Sequence, residues 1–245
     1  MTITSHHNQR LKEIRKLRQR RRERERSARF VAEGEDLLAA ADAAGWPALE
    51  RFCVAGSGLP GTQIEPSVLA SISGLASGTR TLAVYQERWA PEPLGPICVY
   101  LHGLSDPGNV GAVLRSAQAF GAACVALGPG TADPYSPKAV RASMGSIFAV
   151  PVAHAASIAE LPGETVALVA GAGVPLSDLM RVDHRMGGQL ASPLTLLIGA
   201  EREGLPDALV AAADHAAHIP IATHSLNAAM AATVALYELT RMAPA

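Results

Sequence analysis

Hydrophobic and polar positions along this chain follow helical spacing in some stretches and strand-like runs in others. Over residues 5–29, Leu11, Ile14 and Leu17 keep an i, i+3 spacing with no Gly or Pro between them, which predicts a helix. A second unit opens at Arg29-Phe30-Val31-Ala32-Glu33-Gly34. Leu37, Leu38 and Ala41 then give Gly34–Ala44 helical spacing, and Gly45 stops it. Arg51–Ala55 reads as a short strand, Gly56–Gly61 as a loop, Glu65–Ile72 as a helix and Thr81–Tyr85 as a strand. Pro91-Glu92-Pro93-Leu94-Gly95-Pro96, with three prolines in six residues, reads as a linker. Beyond it come a strand at 97–101, a helix at 109–120, a strand at Cys124–Leu127 and a turn at Gly128-Pro129-Gly130. Residues 136–144 are expected to be helical and to lead into Ile147–Pro151. The apolar runs Thr165–Ala170 and Leu194–Ile198 read as buried parallel strands. The last helix, Leu226–Leu239, is alanine-rich and carries Met230, Val234 and Tyr237 on one face.

The expected layout is therefore a basic helical arm (1–29), a small α/β domain (30–88), a Pro-rich linker (89–96) and a larger parallel-sheet domain (97–245). A chain of 245 residues that is 49% hydrophobic and 18% charged can bury a proper core. No apolar run reaches the ~18 residues of a membrane span. The basic, polar start has no apolar stretch behind it, so neither a secretory signal nor a transit peptide is expected. Cys53, Cys98 and Cys124 sit far apart in apolar runs, and the expectation is buried thiols in the cytoplasm rather than a disulfide framework or metal knuckle. The eight histidines show no ligand spacing, and no metal is expected.

Charge changes the picture more than composition does. The net charge of −1 hides eleven basic and three acidic residues among the first thirty, a local +8 against −9 for the rest. A basic arm on an acidic body points to a polyanion, because neutralising phosphates releases counterions. A solvated charged helix and an anionic membrane surface are the alternatives, and the second would want an apolar, aromatic face that is missing. Arg15, Lys16, Arg18, Arg20, Arg21 and Arg22 are the expected RNA contacts in the arm, with Arg141 further along the chain.

Three loops that follow apolar runs carry the candidate chemistry, where α/β proteins place ligands. The first is Asp106-Pro107-Gly108-Asn109-Val110-Gly111, leading to Arg115, a cation inside an otherwise small and apolar helix. The second is Gly199-Ala200-Glu201-Arg202-Glu203-Gly204-Leu205, where Gly199 permits close backbone approach. The third is Ile219-Pro220 followed, after four residues, by Ser225-Leu226-Asn227. Taken singly, Asn109, Ser225 and Asn227 are as well explained as helix caps, and Glu201 as a solvated acid. A dinucleotide turn at Val169-Ala170-Gly171-Ala172-Gly173 competes, but no third glycine follows and Pro175 interrupts the helix it needs.

Together and in this order, the three loops resemble the three motifs of the TrmH (SpoU) family of RNA ribose 2′-O-methyltransferases, in the knotted SPOUT class. Asp106–Arg115, continuing to Ala119–Ala122, looks like the first motif. Gly199-Ala200-Glu201 with Gly204-Leu205 looks like the second, and Ile219-Pro220 with Ser225-Leu226-Asn227 and Glu238 like the third. Ser136–Gly145 is similar to the family's connecting segment, and the start at Phe30–Gly34 to its N-terminal substrate-binding domain. The likeness spans residues from about 5 to 241.

This resemblance implies a parallel sheet closed by a trefoil knot, preceded by a ribosomal-protein-like α/β substrate-binding domain. It also implies a homodimer and S-adenosylmethionine held bent in the knot. Ala170, Ile198, Gly199, Ala200, Ile219, Ile221 and Leu226 would hold the cofactor; Asn109, Arg115, Glu201, Ser225 and Asn227 would form the catalytic set. The substrate would be RNA, with rRNA favoured over tRNA by the separate N-terminal domain and basic arm. A non-catalytic RNA-binding relative is the remaining alternative, which has no need of Asn109, Arg115, Glu201 and Asn227 together. A ribose hydroxyl is a poor nucleophile and needs a base or strong polarisation. The family proposal makes the arginine that base with help from a neighbouring phosphate. A guanidinium holds its proton too tightly to act as a base, which argues instead for a bidentate phosphate clamp. Asn109 and Asn227 would hold the arginine or the substrate. The chain departs from the family twice: the loop Ile221-Ala222-Thr223-His224 is short and lacks glycine, and Arg202 stands where a small or acidic residue is usual.

Overall fold

A computed structural model describes residues 2–74, 78–182, 185–186, 189–190 and 192–240. The end of the expected C-terminal range, 241–245, and residues 75–77 of the N-terminal one lie outside the described residues. The chain divides into two compact units, residues 1–87 with 133–149, and residues 88–132 with 150–245.

The first unit is built on a four-stranded sheet, β1 (Arg29–Glu33), β2 (Glu50–Val54), β3 (Thr62–Ile64) and β4 (Thr81–Gln86), in the order β1-β4-β2-β3. β4 runs antiparallel to both neighbours, with Val31 opposite Val84, while β2 and β3 are parallel. The segment read as a single helix over 5–29 is two helices, α1 (Gln9–Gln19) and α2 (Arg21–Ser27), broken where Arg20 is extended. Asn8 starts α1 by accepting a hydrogen bond from the Arg10 amide at 2.9 Å. It is not a free arm. Leu11, Ile14 and Leu17 are buried in one core with Val31, Phe52, Ile64, Leu69 and Leu82, so the i, i+3 apolar stripe is a packing face. Two more helices, α3 (Glu35–Ala43) and α4 (Pro66–Ala70), complete the residues before β4.

Residues 133–149, expected with the larger domain, pack in this unit instead. They carry α6 (Pro137–Ala142), whose start Ser136 caps by accepting from the Ala139 amide. The reason is side-chain chemistry. Tyr135 and Phe148 join Phe30, Trp46 and Tyr85 in an aromatic cluster, with Phe30–Tyr135 centroids at 4.8 Å and Trp46–Phe148 at 5.2 Å. Asp133 is held by the buried Arg24 guanidinium at 2.7 Å, which also donates to the Leu17 carbonyl at 2.6 Å. One arginine of the basic stretch is thus a buried structural cation.

The second unit is a seven-stranded, all-parallel sheet in the order β7-β6-β5-β12-β8-β13-β9. Its strands are β5 (Ile97–Leu101), β6 (Cys124–Leu127), β7 (Val152–His154), β8 (Glu164–Leu168), β9 (Val174–Pro175), β12 (Leu194–Ile198) and β13 (His215–His218). A small antiparallel pair, β10 (Arg185–Met186) and β11 (Gln189–Leu190), precedes β12. The helices are α5 (Pro107–Ala119), α7 (Leu176–Val182), α8 (Asp207–Ala212) and α9 (Ala228–Thr240). β5 and β12 are buried at every position, as continuous apolar runs with both faces covered should be. β12, late in the chain, lies between β5 and β8, the kind of interior insertion a knotted crossing requires.

Cys98 and Cys124, distant in sequence, are register partners on β5 and β6, and all three thiols are free and buried. The Val169–Gly173 stretch is not a dinucleotide turn: it passes into β9 instead of a helix. A side chain on Gly173 (φ 76°) would strike the backbone of Ala216 and Ala217. No helix among the described residues is long and apolar enough to cross a membrane.

Candidate active site

The three loops singled out in the sequence meet at the carboxyl ends of β5, β8, β12 and β13. The chain leaves β5 through His102 and Gly103, whose amides donate to the Ile198 and Pro129 carbonyls at 2.9 and 3.0 Å. α5 then starts at Asp106, whose side chain accepts from the Gly108 amide at 2.5 Å, with Pro107 in the first turn. This cap sets Asn109 one turn into the helix. Beyond β12, Gly199 lies so close to the Gly204 and Leu205 backbone that no side chain fits there. Ala200 and Gly204 exchange backbone hydrogen bonds at 3.1 and 3.0 Å, closing a tight turn that carries Glu201. Gly204, at φ 69°, supplies the left-handed residue this turn needs.

Side chains from all three loops connect. Asn227 Nδ2 donates to Asn109 Oδ1 at 3.2 Å, and Asn109 Nδ2 donates to a Glu201 carboxylate oxygen. Asn227 also does the plainer job expected of a helix start: its Oδ1 accepts from the Ala229 and Met230 amides at 3.0 and 3.3 Å. About two turns along, the Ser116 and Thr233 hydroxyls of α5 and α9 hydrogen-bond at 2.6 Å, so the two helices are tied side by side. Residues 92 and 118 positions apart in the chain are thus held in one hydrogen-bonded line.

Beside this line is a cavity of about 540 Å³. Ala170, Ile198, Gly199, Ala200, Ile219, Ile221 and Leu226, the seven expected cofactor residues, all line it, as do Glu201 and Ser225. Its volume and its mix of apolar side chains, strand-end backbone and a few charges suit a drug-sized or nucleotide-sized ligand. Arg202, Glu203, Asp207, Val210 and His224 also line it; Arg202 and the Ile221–His224 loop stand out in the sequence as departures from the family, whereas Glu203, Asp207 and Val210 are not marked there as contacts. For Arg202 and Glu203 the signal was their place inside the second motif. For Val210, on α8, there was none, because nothing in the sequence marks which helix folds over the cavity. The shortened loop Ile221–His224 contributes its two end residues to the wall.

Arg115 is the exception. It is exposed, and among the described residues it makes no hydrogen bond or ion pair. Of the two expected partners of Asn109 and Asn227, the arginine or the substrate, Arg115 is not in reach: their side chains meet Glu201 and each other. Six residues after Asn109, Arg115 is rotated about 120° round the helix, which turns it off the amide face. Among the described residues no group of three potential metal ligands clusters anywhere.

The expected RNA contacts lie in the first unit. Arg15 donates to the His6 carbonyl and the Ser71 hydroxyl, Arg18 pairs with Glu33 at 3.6 Å, and Arg21 pairs with Glu25 at 2.7 Å. Lys16, Arg20 and Arg22 are exposed with no such partner among the described residues, and Arg141 donates to the Gly74 carbonyl at 3.4 Å.

Strand-end backbone walling a cavity beside convergent polar groups is where an α/β enzyme binds a nucleotide-like ligand. The chain belongs to the SpoU rRNA Methylase family, which residues 96–237 match; residues 8–84 match the MRM3-like substrate binding domain. It is 38% identical over 146 residues to a 23S rRNA (uridine(2479)-2′-O)-methyltransferase of Streptomyces viridochromogenes, across 56% of this chain and 50% of that relative. It is 26% identical over 258 residues to a 23S rRNA (guanosine(2553)-2′-O)-methyltransferase of Bacillus subtilis, across 97% and 98% of the two chains. An AdoMet-bound rRNA methyltransferase from Sinorhizobium meliloti superposes with a TM-score of 0.86 at 29% identity, covering 100% of this chain and 99% of that one.

Proposed function

We propose that this chain methylates a ribose 2′-hydroxyl of rRNA with S-adenosylmethionine, in the cytoplasm. The observation that carries the reading is the convergence of three sequence-distant loops on one cavity, with Asn109, Glu201 and Asn227 hydrogen-bonded at its edge. The cavity fits the cofactor. Ile198, Ile219, Ile221 and Leu226 offer apolar surface to an adenine, and the bare backbone at Gly199 lets the ligand lie close. Glu201, Glu203 and Asp207 outnumber Arg202 on its walls, an acidic balance that favours a sulfonium cation. S-Adenosylmethionine would supply an electrophilic methyl group, the carbon–sulfur pair leaving on sulfur as the ribose oxygen takes the carbon and gives up its proton at the cavity edge, where Glu201 is the carboxylate at hand.

The protein's own contribution is placement. Asn109 and Asn227 fix the Glu201 carboxylate at the cavity edge, and Ser225 presents a hydroxyl there. Arg115, exposed and without a hydrogen bond or ion pair among the described residues, can turn both terminal nitrogens to a phosphate next to the target ribose. That role holds the nucleotide in line and does not require a guanidinium to surrender a proton. Relatives named for 23S rRNA favour rRNA over tRNA. Mapping 2′-O-methyl sites in total RNA from cells with and without the gene should show one ribose position lost from rRNA. If every ribose position is unchanged, the substrate assignment fails.

A homodimer is the second part of the proposal. Met230, Val234 and Tyr237, one face of α9, are 63%, 41% and 53% exposed, while the opposite alanine face is buried against the unit. An apolar stripe this open on one helix marks an interaction surface. Replacing both Val234 and Tyr237 with Asp should convert a dimer to a monomer in sedimentation velocity. A dimer that persists would place the interface elsewhere.

A further inference from the structure

We infer that Arg18 and Arg141 form a phosphate-gripping cleft for the RNA backbone in the first unit; this rests on the RNA methyltransferase reading above. Arg18 stands in the last turn of α1, Arg141 in the last turn of α6, and both line one small cleft with Glu33. Among the described residues, the charged side chains that line it are two guanidinium groups and one carboxylate, for a local charge of +1.

That carboxylate is already engaged. Glu33 accepts from the Ser73 hydroxyl and, at 3.2 and 3.0 Å, from the Gly74 amide. Arg18 reaches it only at 3.6 Å, longer than a hydrogen bond. Arg141 has no carboxylate partner among the described residues; it makes the 3.4 Å contact to the Gly74 carbonyl. Burial pushes the Arg18 guanidinium below its ordinary value, Glu33 opposes this, and the neighbouring Arg141 charge pushes the same way as burial. Two like charges are therefore held together without a full counter-charge, an arrangement that an added anion relieves.

The cleft itself has space of about 20 Å³, so an anion would sit at its mouth, against the exposed Arg141 fork. Val31, Leu37, Pro137 and Val140 line the cleft behind it, and apolar walls strengthen an electrostatic contact at their edge. Gly74 leaves room for the Arg18 guanidinium, a terminal nitrogen of which sits where a side chain on residue 74 would begin. The Arg18 side chain stays 16% exposed, and Arg141 is open to solvent, so both forks can be reached from outside. A phosphodiester takes two arginine forks bidentately, and a chain of them is what a substrate-binding unit of an RNA enzyme meets. Of the rest of the basic run on α1 and α2, Arg10, Arg21, Arg24 and Arg26 are each spent on a carboxylate, while Lys16, Arg20 and Arg22 are exposed without one among the described residues and stand as further contacts to the RNA backbone.

The test is the salt dependence of binding to in vitro transcribed 23S rRNA, comparing the full-length protein with Arg141→Gln and Arg141→Lys. Arg141→Gln should weaken binding about tenfold at moderate salt and lower the slope of log K against log salt by about one. Arg141→Lys should restore the slope and only part of the affinity. Affinity for S-adenosylmethionine, read by calorimetry, should stay within about twofold throughout. An unchanged slope in Arg141→Gln, with RNA binding retained, overturns the cleft and leaves the enzymatic reading standing. Failure of the unsubstituted protein to bind the transcript overturns both. Thermal stabilisation by inorganic phosphate alone, lost in Arg141→Gln while the RNA slope is unmoved, reassigns the cleft to a free anion and also overturns the proposal.

Discussion

Arg115→Ala is expected to lower single-turnover methyl transfer to rRNA by about 10²–10³, the scale of losing one well-placed electrostatic group. The affinity for S-adenosylmethionine should stay within about twofold. Both expectations follow from where the residue sits. Arg115 does not line the cavity, is exposed, and has no partner among the described residues. Its removal therefore strands no buried group, and stability should move by no more than ~0.5 kcal/mol. Arg115→Lys should recover little activity, because a point charge cannot reproduce a planar fork on phosphate. Equal losses of transfer rate and cofactor affinity in Arg115→Ala would show that the arginine supports the fold, and the clamp would be wrong.

The second large effect is expected at Gly199. A methyl group there would overlap the backbone of Gly204 and Leu205, inside a turn that two hydrogen bonds hold shut. Backbone cannot step aside as a flexible side chain can, so Gly199→Ala must open the turn that carries Glu201 and walls the cavity. Overpacking of this kind costs about 1–3 kcal/mol. Passed into binding, that is a loss of roughly tenfold to a hundredfold in cofactor affinity, measurable by calorimetry, together with a lower melting temperature. Gly204→Asn is the control. Space is open at Gly204, and asparagine tolerates its positive φ, so cofactor binding should survive. Were both variants to bind alike, the close approach at Gly199 would not be what shapes the cavity.

Much of the candidate site was legible because its signals are local. Asp106-Pro107 announces a helix start, Gly199 and Gly204 mark a tight backbone passage, and Ser225-Leu226-Asn227 opens the last helix. Apolar runs at Ile97–Leu101 and Leu194–Ile198 announce buried strands, and both are buried throughout. Two other strands left no such trace. His215-Ala216-Ala217-His218 has neither an apolar run nor alternation, and it is a strand because β8 and β9 flank it. Val174-Pro175 is too short to show any period.

By itself the sequence determined most of the element types, the chemistry of the three loops and their order, since these depend on propensity, capping and residue identity within a few positions. Tertiary structure alone decided which distant residues meet. It joined Asn227 to Asn109 to Glu201 and left Arg115 outside that line, because helix rotation and strand order set the direction of each side chain. It also sorted the charges of the basic stretch. Arg24 is buried against Asp133, Arg21 and Arg26 are paired on the surface, and Arg18 meets Arg141 from a segment more than a hundred residues later. A run of like charges reads the same in sequence whether each is free or paired, and only packing shows which carboxylates are near enough to neutralise it.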